Sequence, residues 1–384
     1  MLQEAGRQPV AAPAGAQTRD SALDRDGRPV VLLRSPGGPS EGARELLEAA
    51  GCKVRLGNPD WLESLPGHQA EMLAMAQGCD AIIGMSRPRT PVTRSVMEAS
   101  PGLRIVAKYG IGVDDVDVAS ASDLGIFVTH GPAEANWGGV AESAMTMMLA
   151  VLKRVRQRDA FVRQGGWHND DLQGIYVGAR DDGYAGLTIG IVGLGRVGGR
   201  FARLLAPWRA RIVACDPYIE PQRFVEHGVE AVDLPTLLRE SDVVSLHVPL
   251  NSETRHLVNR AALSLMKPSA IIINTARGSV IDEAAIAAAL GDGTIAAAAL
   301  DVFEREPLPD DSPLRLLGEK VLVSPHIGAS NVGAGWEVPG VQWAAEAVIA
   351  ALRGEVPRHV FNRSVIEAWT ARFAGQDLLA APRR

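Results

Sequence analysis

The stretch Thr188-Ile-Gly-Ile-Val-Gly-Leu-Gly-Arg-Val-Gly-Gly-Arg200 decides the fold. A short apolar strand, Thr188 to Val192, runs into Gly193-x-Gly195-x-x-Gly198 and from there into a helix. Gly193 permits the tight turn, Gly195 lets backbone approach a pyrophosphate, and Gly198 lets helix and strand pack closely. The free N–H groups at the helix start then face the phosphates. In a chain with 40 glycines the pattern alone says little. Its context says more: a second strand, Arg211 to Cys215, follows the helix and ends in Asp216, the spacing at which an acid holds the adenosine ribose diol. An acid there also repels a 2′-phosphate, so the expected cofactor is NAD and not NADP.

Outward from this unit, 384 residues at 46 % hydrophobic suffice for two globular domains. A net charge of −6 without a basic block argues against nucleic acid or anionic membrane as partner. Cys52, Cys79 and Cys215 are widely spaced and suggest neither a disulfide framework nor a zinc site, so no metal and a reducing, cytoplasmic location are expected. No apolar run approaches the ~18 residues of a membrane span. Residues 1–27 are poor in sizeable apolar side chains and read as a disordered tail without a signal-peptide core.

From Arg28 the chain alternates strands (Val30 to Leu33, Lys53 to Leu56, Ala81 to Ile83, Ile105 to Ala107, Ile126 to Val128) with helical segments near Ala43, Met72, Val96 and Val118. Alternation of this kind implies a parallel sheet covered on both faces. One long helix, Gly139 to Arg163, is expected as a connector or dimer-interface helix. The second unit adds strands at Thr188 to Val192, Arg211 to Cys215, Val243 to Leu246, Ile271 to Asn274, Ala296 to Leu300 and Val321 to Val323. Gly193, Asp216, His247-Val-Pro249, Thr275-Ala-Arg277, Asp301 and His326 follow these strands in turn. Open α/β sheets bind ligands at such carboxyl ends.

The chain resembles the D-isomer-specific 2-hydroxyacid dehydrogenases, from Arg28 to about Asn362. The likeness rests on Gly110-Ile-Gly-Val-Asp114, Val140-Ala-Glu142, the glycine fingerprint with Asp216, His247-Val-Pro-Leu-Asn-Ser-Glu-Thr254, Asn274-Thr-Ala-Arg-Gly-Ser-Val-Ile-Asp-Glu283, Ala299-Leu-Asp-Val-Phe-Glu-Arg-Glu-Pro307 and Ser324-Pro-His-Ile-Gly-Ala-Ser330. The resemblance implies two doubly wound parallel-sheet α/β domains. A Rossmann cofactor domain, residues 131–323, is inserted in a flavodoxin-like substrate domain, residues 28–130 and 324–384. It implies cofactor contacts from Gly193, Gly195, Arg196, Val197, Gly198, Asp216, His247, Pro249, Thr254, Thr275, Arg277, Asp301, His326 and Gly328, and association as a homodimer.

Reducing a 2-oxo acid needs a cation for the carboxylate, a proton donor for the carbonyl oxygen, and a group to keep that donor protonated. Arg277 can offer a planar fork to a carboxylate. His326 suits proton transfer, since imidazole titrates near pH ~6.5. Glu306 matches the family acid beside the histidine, with Glu304 as the competing assignment. His247 is expected beside the cofactor and not as a base. Gly110 and Gly112 are implied to cradle the substrate carboxylate with Arg277. Asp301 matches the family residue near the nicotinamide carboxamide, or is a simple strand-end cap.

Arg87 and Arg89 in Ser86-Arg-Pro-Arg-Thr90, with Lys108 as a third cation, suggest a substrate with a second anionic group such as phosphate or phosphonate. Departures from the family are the long segment 168–185, Trp137, and the glycine-rich segment Gly333 to Gly340, expected as a loop from which Trp336 reaches the site mouth. With about sixty residues following His326, the regulatory domain of long 3-phosphoglycerate dehydrogenases is not expected. A cofactor-sensing binding protein of corepressor type on the same fold is the second reading.

Overall fold

A computed structural model describes residues 27–38, 40–62, 66–84, 90–329 and 337–380. Apart from Gly27, the expected tail lies outside the described residues, as do Arg87, Arg89 and Trp336. The chain forms two compact units, Met1–Gly131 with Glu337–Arg384, and Pro132–Trp336.

The first unit is built on five parallel strands: β1 (Val30–Leu33), β2 (Lys53–Leu56), β3 (Ala81–Gly84), β4 (Ile105–Lys108) and β5 (Phe127–Thr129), in the order β2-β1-β3-β4-β5. The strands β1, β3, β4 and β5 are short runs buried throughout, the pattern of strands covered on both faces. Leu32, Ile82, Val106 and Val128 form one core with Met72, Val96 and Met97 of the helices. The C-terminal return is fastened to this sheet. Trp369 stacks on Phe127 at 4.3 Å between ring centroids, and Arg104 Nη1 donates to the carbonyl oxygens of Ala351, Leu352 and Gln376.

The second unit holds seven parallel strands: β6 (Thr188–Val192), β7 (Arg211–Cys215), β8 (Glu230–Ala231), β9 (Val243–Leu246), β10 (Ile271–Asn274), β11 (Ala297–Leu300) and β12 (Val321–Val323). Their order is β12-β11-β10-β9-β6-β7-β8, so the winding reverses between β6 and β9. At such a switch point the loops leave the sheet in opposite directions and open a crevice at the carboxyl ends.

Three expectations change. The single helix over 139–163 is two, Glu134–Leu152 and Val155–Arg163, because Arg154 takes a left-handed backbone with φ 52° that interrupts the hydrogen-bond ladder. Its methionine-rich face is internal to the unit: Met147, Met148, Ala141 and Ala144 pack with Leu194, Phe201 and Leu205. The glycine-rich segment before 340 is helical from Glu337, and Gly340 sits inside that helix. A Cβ at Gly340 would overlap the carbonyl oxygen of Tyr109, so the residue trades helix propensity for close packing. Strand β8 was not anticipated, since Glu230 and Ala231 are both exposed and carry no apolar pattern. The segment 168–185 contains one 3-10 turn, Asp170–Leu172, and is anchored by buried Val177.

Candidate functional site

The loops leaving the carboxyl ends of the second sheet bring the sequence candidates together one strand at a time. At the end of β6, Gly193 has φ 90°, a conformation that favours glycine. A Cβ at Gly198 would overlap the Gly193 carbonyl oxygen, whereas a Cβ at Gly195 would meet nothing within 4 Å. Gly198 therefore serves the packing of helix Arg196–Leu205 on the turn, and Gly195 leaves open space at the helix start. At the end of β7, Asp216 Oδ2 accepts the Leu194 N–H at 2.9 Å and Oδ1 accepts the Tyr218 N–H at 3.1 Å. The acid is thus fixed beside the fingerprint turn.

After β9, His247 Nε2 lies 2.9 Å from Ser245 Oγ and the ring tilts against Phe201 at 5.2 Å. Although the residue is partly exposed, its Nδ1 is buried without a partner. Burial pushes the imidazole down to about 3, so it is neutral. Thr254 Oγ1 donates to the Pro249 carbonyl oxygen at 2.6 Å and fixes the loop between them. At the end of β10 the Thr275 hydroxyl is also buried and unpartnered. Two orphaned polar atoms and an open helix start at one sheet edge are what a polar cofactor would satisfy, so the residues present fit a dinucleotide.

Arg277 follows in the same loop, half-buried, its Nη1 donating to the Ala276 carbonyl oxygen at 2.7 Å. A Cβ at the next residue, Gly278, would overlap the backbone of Phe303, so that glycine lets the loops after β10 and β11 touch. The second of these loops carries the acids. Glu306 Oε2 is 2.7 Å from His326 Nδ1, and Glu306 Oε1 accepts the Phe303 N–H at 3.1 Å. Burial works to raise the Glu306 carboxyl, but His326, the Phe303 N–H and Arg277 outweigh it and hold the group below its ordinary range. Glu304 is bonded elsewhere: its carboxylate lies 2.5 Å from His256 Nε2.

His326, after β12, has a left-handed backbone with φ 56° and a side chain 45 % exposed. The following backbone is held by Asp301, whose oxygens accept the N–H groups of Ile327 and Gly328. Arg277, Glu306, His326 and Asp301 thus lie on three neighbouring strand ends of one unit.

In the first unit, the Gly110 carbonyl oxygen accepts the Gly131 N–H at 2.9 Å, and Gly112 is partly exposed. Lys108 departs from the expectation of a substrate-facing cation. It is 1 % exposed, and its Nζ lies 2.6 and 2.5 Å from the two oxygens of Asp115. Sequence reading passed over His256, Tyr218 and Asp115. Tyr218 Oη donates to the Glu253 carboxylate, so it joins the loop after β7 to the loop after β9. The signal for these pairs was weak, because the partners are 35 to 48 residues apart in sequence for Tyr218–Glu253 and His256–Glu304.

Comparison with known proteins gives consistent matches. Residues 145–328 match the family model described as D-isomer specific 2-hydroxyacid dehydrogenase, NAD binding domain. The chain is 38 % identical over 311 residues to a glyoxylate reductase of Korarchaeum cryptofilum, covering 80 % of this chain and 90 % of that protein. It is 39 % identical over 284 residues to a D-3-phosphoglycerate dehydrogenase of Methanocaldococcus jannaschii, covering 74 % of this chain but 52 % of that protein. Among solved structures, the TT0316 protein of Thermus thermophilus superposes with a TM-score of 0.74 at 34 % identity, over 86 % of this chain and 99 % of that one.

Proposed function

The chain belongs to the D-isomer-specific 2-hydroxyacid dehydrogenases, and from that premise we propose that Arg277, Glu306 and His326 carry the interconversion of a 2-hydroxy acid and a 2-oxo acid. The cofactor is NAD, which supplies or accepts the hydride at the substrate's C2. Its holding residues are proposed as the Gly193, Gly195 and Gly198 turn with Arg196 and Val197, Asp216 on the ribose diol, and His247, Pro249, Thr254, Thr275, Asp301 and Gly328 along the strand ends.

The observation that carries the reading is the 2.7 Å contact between His326 Nδ1 and Glu306 Oε2. An ionised carboxylate at that distance fixes the proton on Nδ1 and turns Nε2 outward, where it gives a proton to the carbonyl oxygen during reduction and takes one back during oxidation. Arg277 binds the substrate carboxylate with its guanidinium fork. Gly110 and Gly112 are proposed as backbone donors to the same carboxylate. Purified protein should oxidise NADH with a 2-oxo acid, and His326→Asn, which suits the left-handed backbone at that position, should lose turnover while binding NADH as before. Undiminished turnover in that variant would refute the assignment.

For the substrate's far end the reading is a second anionic group, supported by Arg87 and Arg89 in Ser86-Arg-Pro-Arg-Thr90 and by the similarity to a D-3-phosphoglycerate dehydrogenase. Arg87→Met should raise KM for a dianionic 2-oxo acid far more than for glyoxylate. A homodimer is proposed on the exposed apolar side chains Val155, Val162 and Trp167, and a cytoplasmic location on three unpaired cysteines. No described helix is long and apolar enough to cross a membrane.

A further inference from the structure

The first unit buries an ionic cluster that the chemistry above does not use. Lys108 ends β4, two residues before Gly110, and Asp115 follows Gly112 by three, so they stand on opposite arms of the Gly110–Gly112 loop. Their side chains are 1 % and 0 % exposed and form a forked ion pair at 2.6 and 2.5 Å. Arg34, directly after β1 and 4 % exposed, donates Nη1 to Asp115 Oδ2 at 2.5 Å and Nη2 to the Thr90 carbonyl oxygen at 2.6 Å. Gly84, the register partner of Lys108, makes room for it: a Cβ there would stand 3.0 Å from Arg34 Cβ.

Two cations share one carboxylate, so the cluster keeps one net positive charge in a dry environment. A buried pair of this kind rarely gains stability over an apolar packing of the same shape, because desolvation consumes the Coulomb attraction. Its presence at the base of one loop calls for a local reason.

We propose that Lys108, Asp115 and Arg34 are positioning residues, which tie the two arms of the Gly110–Gly112 loop to each other and to the end of β1 so that its backbone donors are held ready for the substrate's carboxylate. This rests on the reading that the loop meets the substrate. Burial pushes the Lys108 ammonium down to about 7, with Arg34 acting in the same direction and Asp115 and Asp114 opposing. These are the charged groups that act on it. As pH rises through that value the lysine loses its proton, the fork to Asp115 weakens and the net charge falls.

The test is steady-state reduction of the best-accepted 2-oxo acid by Lys108→Met, in which Asp115 keeps Arg34 as partner. KM should rise about tenfold with kcat nearly unchanged, since the loop binds ground and transition states alike. NADH affinity, read by fluorescence titration, should not move. Wild-type KM should climb above pH about 7. The variant's KM should stay flat over the same range, and Lys108→Arg should recover part of the loss. A wild-type KM and pH profile in Lys108→Met would overturn the proposal.

Gly112→Val separates the two levels. If it too leaves KM unchanged, the loop does not meet the substrate and the underlying reading falls. If it raises KM while Lys108→Met does not, only the positioning role is lost. Should Lys108→Met fail to fold, Lys108→Gln, which removes the titrating ammonium but keeps an N–H donor to Asp115, carries the same comparison with the same outcomes.

Discussion

Asp301 and Gly328 are in direct contact: Asp301 Oδ2 accepts the Gly328 N–H at 2.9 Å, and a Cβ on Gly328 would stand 2.8 Å from that oxygen. The residue after β11 thereby holds the backbone just past His326, with Oδ1 taking the Ile327 N–H at 3.1 Å. Asp301→Ala would leave both N–H groups without their acceptor. A loss of about 2 kcal/mol of stability is expected in urea unfolding, together with a fall in kcat as His326 loses its backing. An unchanged unfolding midpoint would show that water replaces the carboxylate at no cost.

Glu306→Gln keeps the size of the side chain and removes its charge. Because Glu306 is held below the ordinary carboxylate range, it is ionised throughout neutral pH, and its loss acts on orientation and charge at once. We expect kcat for reduction to fall by roughly 10²-fold and the pH limb of reduction to move to lower pH, with NADH affinity retained. A variant of normal kcat and unshifted profile would reassign Glu306 to loop structure.

Asp216 has a double duty, as acceptor for the Leu194 and Tyr218 N–H groups and as the charge near the fingerprint turn. Asp216→Ala should weaken NADH binding and narrow the gap to NADPH. A wild type that prefers NADPH would sink the reading of this strand end.

Asp80 offers a pH test of the first unit. Burial pushes its carboxyl up to about 7, against the Val30 N–H and Arg104, which pull it down. A raised folded value means that the stability contribution is complete below the ordinary carboxylate range and is lost as pH climbs through about 7. Asp80→Asn should therefore gain on the wild type between pH 5 and pH 8 by about 2 kcal/mol, measured by urea unfolding. A gap that does not change with pH would mean that the carboxyl titrates normally.

Elements with a strong local pattern were legible in the chain. The buried parallel strands announced themselves as short apolar runs, and Arg277, Asp301, Glu306 and His326 stood in motifs at their ends. What escaped depends on distance. Arg34 and Asp115 are 81 residues apart and meet only because β1 and β4 flank β3, and although Asp115 lies seven residues from Lys108, the loop through Gly110 and Gly112 that folds one onto the other has no periodic pattern to show it. The break at Arg154 hid for a different reason: both flanking segments are helical by pattern, and a left-handed arginine has no sequence signature. The choice between Glu304 and Glu306 likewise turned on which carboxylate reached which histidine.

The left-handed backbone of His326 bears on how this protein can be dissected or redesigned. With φ at 56°, position 326 tolerates asparagine and glycine far better than alanine or any β-branched residue, which pay a backbone penalty of about 1–2 kcal/mol. An alanine scan therefore mixes loss of the imidazole with a shift of the main chain that carries it. Asparagine at 326 removes the proton donor alone, and a directed-evolution library at this position samples backbone geometry as much as chemistry.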